Sequence, residues 1–345
     1  MTKKLIAISI SVLFLLLGFS GCSSSIDPSS NSSKYKVAMI TSAGGLGDRS
    51  FNDSGQAGLK RAKEELGVDY KIVEPKDIAE GEKYLRELAK TGYNVVVTLE
   101  YGHADIVKKI APDYPDTKFV VLNQIVKGDN IVSIVFGEHE AAFLAGALSA
   151  LVTNDTNVKG MNKESVIGFV GGIESPGIEK FYKGYEEGAK YINPHIKIVK
   201  GYANSFADPS KGKELTLAQI DKGADIIFHA AGGTGEGVIA ACKDKGVFAV
   251  GVDSDQDYIA EGFVLTSVMK RVDNSFYKIA EKLKDGTLKG NKILYMSMKD
   301  GGAQISEMKY TKDKINPKDL KKIEKIKEKI NNKEIKVTDV TGIAK

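Results

Sequence analysis

From Tyr35 onward the chain alternates short apolar runs with amphipathic stretches, and it does so twice. Strands are expected at 36–41 (KVAMIT), 70–73, 94–99 (NVVVTL), 118–123 (KFVVLN) and 131–136 (IVSIVF). Helices are expected at 52–66, 79–91, 104–111 (stopped near Pro112) and 138–152. After a polar loop, 154–164, the pattern restarts with strands at 165–170, 196–202, 225–229 and 247–252, and helices at 177–191, 211–222 and 235–245. Continuous β-branched runs bounded by Gly and Pro suit parallel strands covered on both faces. Strand–helix alternation implies βαβ units with helical crossovers. The expected class is therefore α/β, with two doubly wound parallel-sheet lobes. The cleft between them, at the carboxyl ends of the strands, is the default ligand site.

The alternation then breaks. A strand at 264–268, a helix at 273–284 and a strand at 293–298 must complete the lobes. A last helix, 317–330, carries Leu320, Ile323, Ile326 and Ile330 on one face, which packs it against a lobe. Contact of its lysines with anionic lipid headgroups is the second reading.

Ahead of this region lies a secretory signal. Lys3 and Lys4 precede an almost unbroken apolar run over 5–19, closed by Phe19-Ser20-Gly21-Cys22. The run is short for a spanning helix, which needs about 20 apolar residues. Small residues beside a cysteine point to cleavage after residue 21 and lipid attachment at Cys22, although Phe19 stands where lipoboxes usually have Leu. An uncleaved anchor and a plain secretory signal are the alternatives. Residues 22–35, Ser-rich from Ser23 to Ser33, form the lipidated cysteine and a flexible tether. The mature protein is then held at the cell membrane, on its extracytoplasmic face. Capture, processing and signalling are the jobs available there.

With Cys22 taken by lipid, Cys242 has no partner, so a disulfide framework and a thiolate metal site are both excluded. Cys242 is expected as a small apolar residue inside helix 235–245. The four histidines show no zinc spacing, and neither a metal nor a cofactor is expected. A net charge of +4, with lysines spread along the chain, describes a solvated surface and no nucleic-acid partner.

If the cleft is real, the residues following each strand carry the chemistry. The first such loop runs Thr41-Ser42-Ala43-Gly44-Gly45-Leu46-Gly47-Asp48-Arg49-Ser50-Phe51-Asn52. It fits neither the Walker pattern nor GxGxxG, and Asp48 would repel phosphate, so a neutral polar ligand suits it. Asp48 also reads as a helix cap, as do Ser50 and Asn52. Later strands are followed by Glu100, Tyr101, Gly102 and His103, by Asn123, by Asn204, Ser205, Phe206 and Asp208, and by Asp253. A carboxylate such as Asp253 can accept two hydroxyl hydrogen bonds, as a vicinal diol requires. Phe51 and Phe206, one per lobe, can stack on a flat ligand, an interaction worth about 1–3 kcal/mol per base; ordinary core packing is the competing reading for each.

Six ordered segments then resemble one family: Gly47-Asp48-Arg49-Ser50-Phe51-Asn52, Ala141-Ala142-Phe143-Leu144-Ala145-Gly146, Ser205-Phe206-Ala207-Asp208, Gly223-Ala224-Asp225-Ile226-Ile227-Phe228, Gly251-Val252-Asp253-Ser254-Asp255-Gln256 and Leu265-Thr266-Ser267-Val268-Met269-Lys270. They are similar to the basic membrane protein family, lipid-anchored substrate-binding proteins of ABC importers of the purine nucleoside receptor kind. The resemblance implies a type I periplasmic-binding-protein fold with three hinge crossovers, near 136–138, near 269–271 and near Gly290. Lobe 1 would be 36–137 plus 270–289, and lobe 2 would be 138–269 plus 290–345. It further implies that Phe51 and Phe206 sandwich a base, and that Asp253 and Lys270 hold ribose hydroxyls with Gly232 nearby. Purine-binding members tend to carry acids where this chain has Ser42 and Asn123, so base preference here can differ.

The leading expectation is a solute receptor that captures a nucleoside, purine favoured, and delivers it to an ABC permease, working as a monomer. A flavin or other aromatic-solute receptor and a non-transport signalling lipoprotein are the alternatives. A surface nucleoside hydrolase using Asp48 and Asp253 lacks any nucleophile–base arrangement, so no enzyme is expected.

Overall fold

A computed structural model of the chain describes residues 33–343. The signal sequence and Cys22 lie outside the described residues. Among those described, no helix is long and apolar enough to cross a membrane.

The first sheet is built from β1 (Lys36–Ile40), β2 (Asp69–Val73), β3 (Val95–Thr98), β4 (Lys118–Leu122) and β5 (Ile131–Phe136). The helices α1 (Phe51–Leu66), α2 (Ile78–Lys90) and α3 (Ala104–Ile110) connect its first four strands. The second sheet uses β6 (Val166–Gly171), β7 (Lys197–Tyr202), β8 (Ala224–Ala230), β9 (Phe248–Val252) and β10 (Val264–Lys270). It is preceded by α4 (Glu138–Thr153) and connected by α5 (Pro176–Ile192), α6 (Pro209–Ile220) and α7 (Gly235–Lys245). The chain closes with α8 (Val272–Lys284), β11 (Lys292–Met296), β12 (Ala303–Ile305) and α9 (Pro317–Asn331).

Strand orders are β2-β1-β3-β4-β5-β11 and β7-β6-β8-β9-β10-β12. The first sheet is parallel throughout, and in the second only β12 runs antiparallel. Each sheet reverses direction of growth at its first strand, next to β3 and next to β8. Such switch points open a crevice at the strand carboxyl ends.

Period-two alternation explains the layers. Val37 and Met39 face one core with Leu59 of α1 and Phe276 of α8, while Ala38 and Ile40 face another with Leu85 of α2 and Val107 of α3. In the second sheet, Phe169 and Phe228 pack under α4, α5 and α9, and Ile227 and Ala249 pack under α7 beside the buried thiol of Cys242. Helix α4 is buried almost all round, which its apolar sequence requires. It approaches α5 closely because glycines stand at the contact. A Cβ on Gly146 would lie 2.0 Å from the Tyr185 carbonyl oxygen, and one on Gly188 would lie 1.9 Å from that of Phe143. Ile323, Ile326 and Ile330 of α9 are buried in the same core, so that helix packs on protein.

One boundary expected from the sequence is corrected. The chain leaves the first sheet after β5 and returns after β10, but the third crossing does not fall near Gly290. β11 pairs with β5 in parallel register, from Lys292 with Val132 to Met296 with Phe136, so residues 292–296 complete the first sheet. The crossing follows, at 297–302, and β12 then joins β10. The pattern of a single short strand does not name its neighbour. The free outer edge of β5 does.

Candidate ligand-binding site

A cavity of about 340 Å³ lies at the strand ends, lined from both sheets. Ser42, Asp48, Phe51, Asn52, Tyr101, Asn123, Phe206, Gly232, Asp253 and Lys270 all line it. The topology brings together residues more than two hundred positions apart.

The loop after β1 is organised by Asp48. Its Oδ1 accepts the backbone N–H of Ser50 (2.9 Å) and of Asp53 (3.2 Å). Its Oδ2 accepts the backbone N–H of Asn52 (2.9 Å) and the Asn52 side-chain amide (3.0 Å). Asp48 thus does the work of a helix cap for α1, two residues ahead of the formal cap position. Burial raises its pKa, against the opposing pull of those N–H donors. Asn52 is equally committed: its Oδ1 accepts from the Ser42 backbone N–H at 2.9 Å and from the Ser42 hydroxyl at 3.2 Å. Asp48 and Asn52 shape the wall with their polar groups already satisfied.

Ser50, released from capping, crosses to the second lobe, where its hydroxyl donates to Asp253 Oδ2 at 2.5 Å. Asp253 adopts a left-handed φ of 62° where β9 ends, a conformation Asp tolerates better than most residues. Burial pushes its carboxyl up to about 6, with Lys270 and Ser50 pulling the other way. Lys270 ends the neighbouring strand β10, and its backbone N–H donates to the Asp253 carbonyl at 3.0 Å. Its ammonium lies 5.4 Å from the Phe51 ring centre, 5.1 Å from that of Phe136 and 5.7 Å from that of Phe181.

The counter-charge for Lys270 is Glu138, at 3.2 Å, and the other oxygen of Glu138 faces Lys180 at 3.2 Å. Lys180 also donates to the Phe136 carbonyl at 2.7 Å and pairs with Asp339 at 3.8 Å. Burial works to raise the Glu138 pKa, but the two ammonium groups prevail and hold it below its ordinary value. Sequence reading missed this group. The available signal was a pair of acids, Glu138 and Glu140, in the first turn of a helix that is largely apolar from Ala141 onward.

Phe206 stands after β7, with its ring against Gly172. A Cβ there would lie 2.3 Å from the Phe206 Cδ1 and Cε1 atoms. Gly232, at a φ of 56°, lies under the Phe206 backbone, and the Phe206 carbonyl accepts from the Thr234 N–H at 3.2 Å. Asn123 is left-handed, with a φ of 66°, and its buried Oδ1 has no hydrogen-bond partner among the described residues. Tyr101, 51% exposed, lines the cavity, as do the exposed Ile78 and Ile173. Ile173, Ser175, Ile178 and Phe181 also line the cavity. Ile173 and Ser175 follow β6, the second-sheet counterpart of β1, so the strand-end rule applied there would have found them, whereas Ile178 and Phe181 lie inside α5.

The walls meet across the opening. Gln256 Nε2 donates to the Arg49 carbonyl at 3.0 Å, Ser254 Oγ to the Ser50 carbonyl at 3.4 Å, and Arg49 faces Glu236 at 3.6 Å. Among the described residues no cluster of three or more His, Cys, Asp or Glu is placed to hold a metal ion.

Two α/β lobes, closed over an apolar cavity at their strand ends with few convergent polar groups, define a solute-binding protein of the periplasmic-binding-protein type. Residues 35–341 match the family described as ABC transporter substrate-binding protein PnrA-like, and the chain belongs to that family. It is 33% identical over 321 residues to the ABC transporter nucleoside-binding protein BmpA of Lactococcus lactis subsp. cremoris, covering 85% of this chain and 88% of that protein. It is 33% identical over 293 residues to basic membrane protein A1 of Borrelia garinii subsp. bavariensis, covering 82% of each. Among solved structures, an ABC transporter solute-binding protein from Aeropyrum pernix K1 superposes with a TM-score of 0.79 at 27% identity, covering 88% of this chain and 92% of that one. A solute-binding protein from Conexibacter woesei, at 20% identity and a TM-score of 0.72, shares the fold.

Proposed function

We propose that this protein captures a nucleoside, with purines favoured, and delivers it to an ABC permease from the extracytoplasmic face of the membrane, where a lipid on Cys22 holds it. The observation that carries the reading is the pairing of Phe51 and Phe206, from opposite lobes, in one cavity with the buried Asp253 and Lys270. Stacking suits a base, and an acceptor beside a donor suits a vicinal diol. The volume of about 340 Å³ sits at the lower end of the range for small-molecule pockets and favours a nucleoside over a flavin. The Lactococcus relative, named as nucleoside-binding, supports the same class. Closure is a hinge motion about the three crossings, and a monomer leaves both lobes free to make it. The family consists of binding proteins, and binding without turnover is the proposed activity.

The test is isothermal titration of the full chain in detergent, stripped of carried ligand by denaturation and refolding. The panel is adenosine, guanosine, inosine, uridine, cytidine and riboflavin. Saturable one-to-one nucleoside binding is expected. Riboflavin binding in its place moves the protein to flavin capture, and product formation from any nucleoside rejects a pure binding role.

A further inference from the structure

Among the described residues three carboxylates line the cavity: Asp48, Asp253 and Glu100. An ionised carboxylate offers about four acceptor positions. Asp48 has all of its positions occupied by the N–H groups that open α1. Asp253 lies at the β9–β10 end of the site, bonded to Ser50 and adjacent to Lys270. Glu100 differs from both. Its Oε1 accepts one bond, from the Gly102 N–H at 3.1 Å, and its Oε2 accepts one, from the Ala43 N–H at 3.1 Å. Each oxygen keeps an acceptor position, and the two backbone bonds set the orientation of the group.

Its place in the sheet is equally specific. Ile40 pairs with Thr98, and Thr98 pairs with Val121, on three adjacent strands. Two residues beyond each stand Ser42, Glu100 and Asn123, so Glu100 is the middle one of three polar residues at one level of the first sheet. Ser42 and Asn123 can each donate or accept, whereas Glu100 only accepts.

Resting on the nucleoside-receptor reading above, we infer that Glu100 is the base-selecting residue of this site. Its two open acceptor positions take a pair of neighbouring N–H donors on the six-membered ring, as a guanine presents at N1 and N2. Asn123, on one side, supplies the donor for the adjacent ring carbonyl, since the Ser42 hydroxyl on the other side already donates to Asn52. The ligand class is then a 6-oxopurine nucleoside, guanosine ahead of inosine, which keeps N1–H and lacks the amino group. Adenosine, with an unprotonated N1 facing a carboxylate, is disfavoured.

The test compares guanosine with purine riboside, which has no N–H donor on that ring, in the full chain and in Glu100→Gln. Hydrogen bonds to charged groups imply a guanosine affinity about 10- to 100-fold weaker in the variant. Purine riboside, which makes no such bond, should bind the variant as tightly as the wild type or tighter. The ratio of the two affinities is the readout, because loss of the Ala43 and Gly102 staples alone weakens both ligands together. An unchanged ratio in a protein that still binds nucleosides overturns the assignment and leaves the receptor reading standing. Failure of the wild type to bind any nucleoside overturns the receptor reading, and this assignment with it.

Discussion

The Nε2 of His229 lies 3.0 Å from the Oε1 of Gln256, and that oxygen also accepts the Val252 N–H at 2.9 Å. Two donors on one oxygen decide which end of the amide is which. The imidazole therefore carries its proton on Nε2, and the Gln256 amide nitrogen points the other way, to the Arg49 carbonyl in the opposite lobe. Burial holds the His229 pKa down to about 4, against the hydrogen bond to Gln256, so the ring is neutral at ordinary pH. Gly235 makes room for it, since a Cβ there would lie 2.0 Å from the ring.

Gln256→Ala leaves two buried donors without an acceptor and removes one bond that spans the cleft. The expected cost is about 1–3 kcal/mol of stability, with weaker ligand binding as the closed form loses support. Urea unfolding measures the first and titration the second. A midpoint equal to wild type would mean that water replaces the amide freely.

Gly172→Ala should act through Phe206. The added methyl group occupies the space of the ring edge, so the ring has to move. Nucleoside affinity should fall about as far as in Phe206→Ala, by the roughly 1–3 kcal/mol a base stack contributes. Calorimetry on both variants checks this, and wild-type affinity in either one would remove Phe206 from the stacking role.

Glu138→Ala takes the paired counter-charge from the buried Lys270 ammonium and leaves Lys180 with the Phe136 carbonyl and the more distant Asp339. Side-chain exposure is 2% for Glu138, 5% for Lys270 and 4% for Lys180, so solvent screens little of the loss. Breaking a buried pair from one side costs about 3–5 kcal/mol. Denaturant melts should show a loss of that size, and a change below about 1 kcal/mol, as for an exposed pair, would show that water reaches the cluster.

The raised pKa of Asp253, about 6 against an ordinary 3.8, has two consequences of opposite sign. For folding, burial favours the protonated carboxyl. That contribution is complete below pH 3.8 and is lost as pH rises through about 6. For binding, ligand hydroxyls favour the ionised carboxylate, so nucleoside affinity should fall as pH drops below about 6, with a proton released on binding. Titrations in buffers of different ionisation enthalpy count that proton. Asp253→Asn should bind weakly at every pH without this dependence, and a variant that keeps the wild-type profile would assign the titration elsewhere.

Much of this architecture was legible from residue order. Helix α7 and strand β5 fall where the alternation places them, and the other expected elements differ by a residue or two at their ends. Local physics suffices there, because apolar periodicity and Gly and Pro punctuation act within a dozen residues. β12 is too short, and too polar at Gln304, to register as a strand, and it exists because the edge of β10 was open to it.

The site divides along the same line. The rule that chemistry follows the carboxyl end of a strand was enough to reach Ser42, Phe51, Tyr101, Asn123, Phe206 and Asp253, all of which line the cavity. It left open whether Asp48 caps a helix or faces a ligand, a question decided by four hydrogen bonds. Nor could it pair Glu138 with Lys270, Gly172 with Phe206, or His229 with Gln256. Where strands end and which side chains stand there follow from residue order, because those depend on neighbours in the chain. Tertiary structure alone decided which of those side chains remain free for a ligand, because hydrogen-bond partners and counter-charges come from segments that only folding brings together.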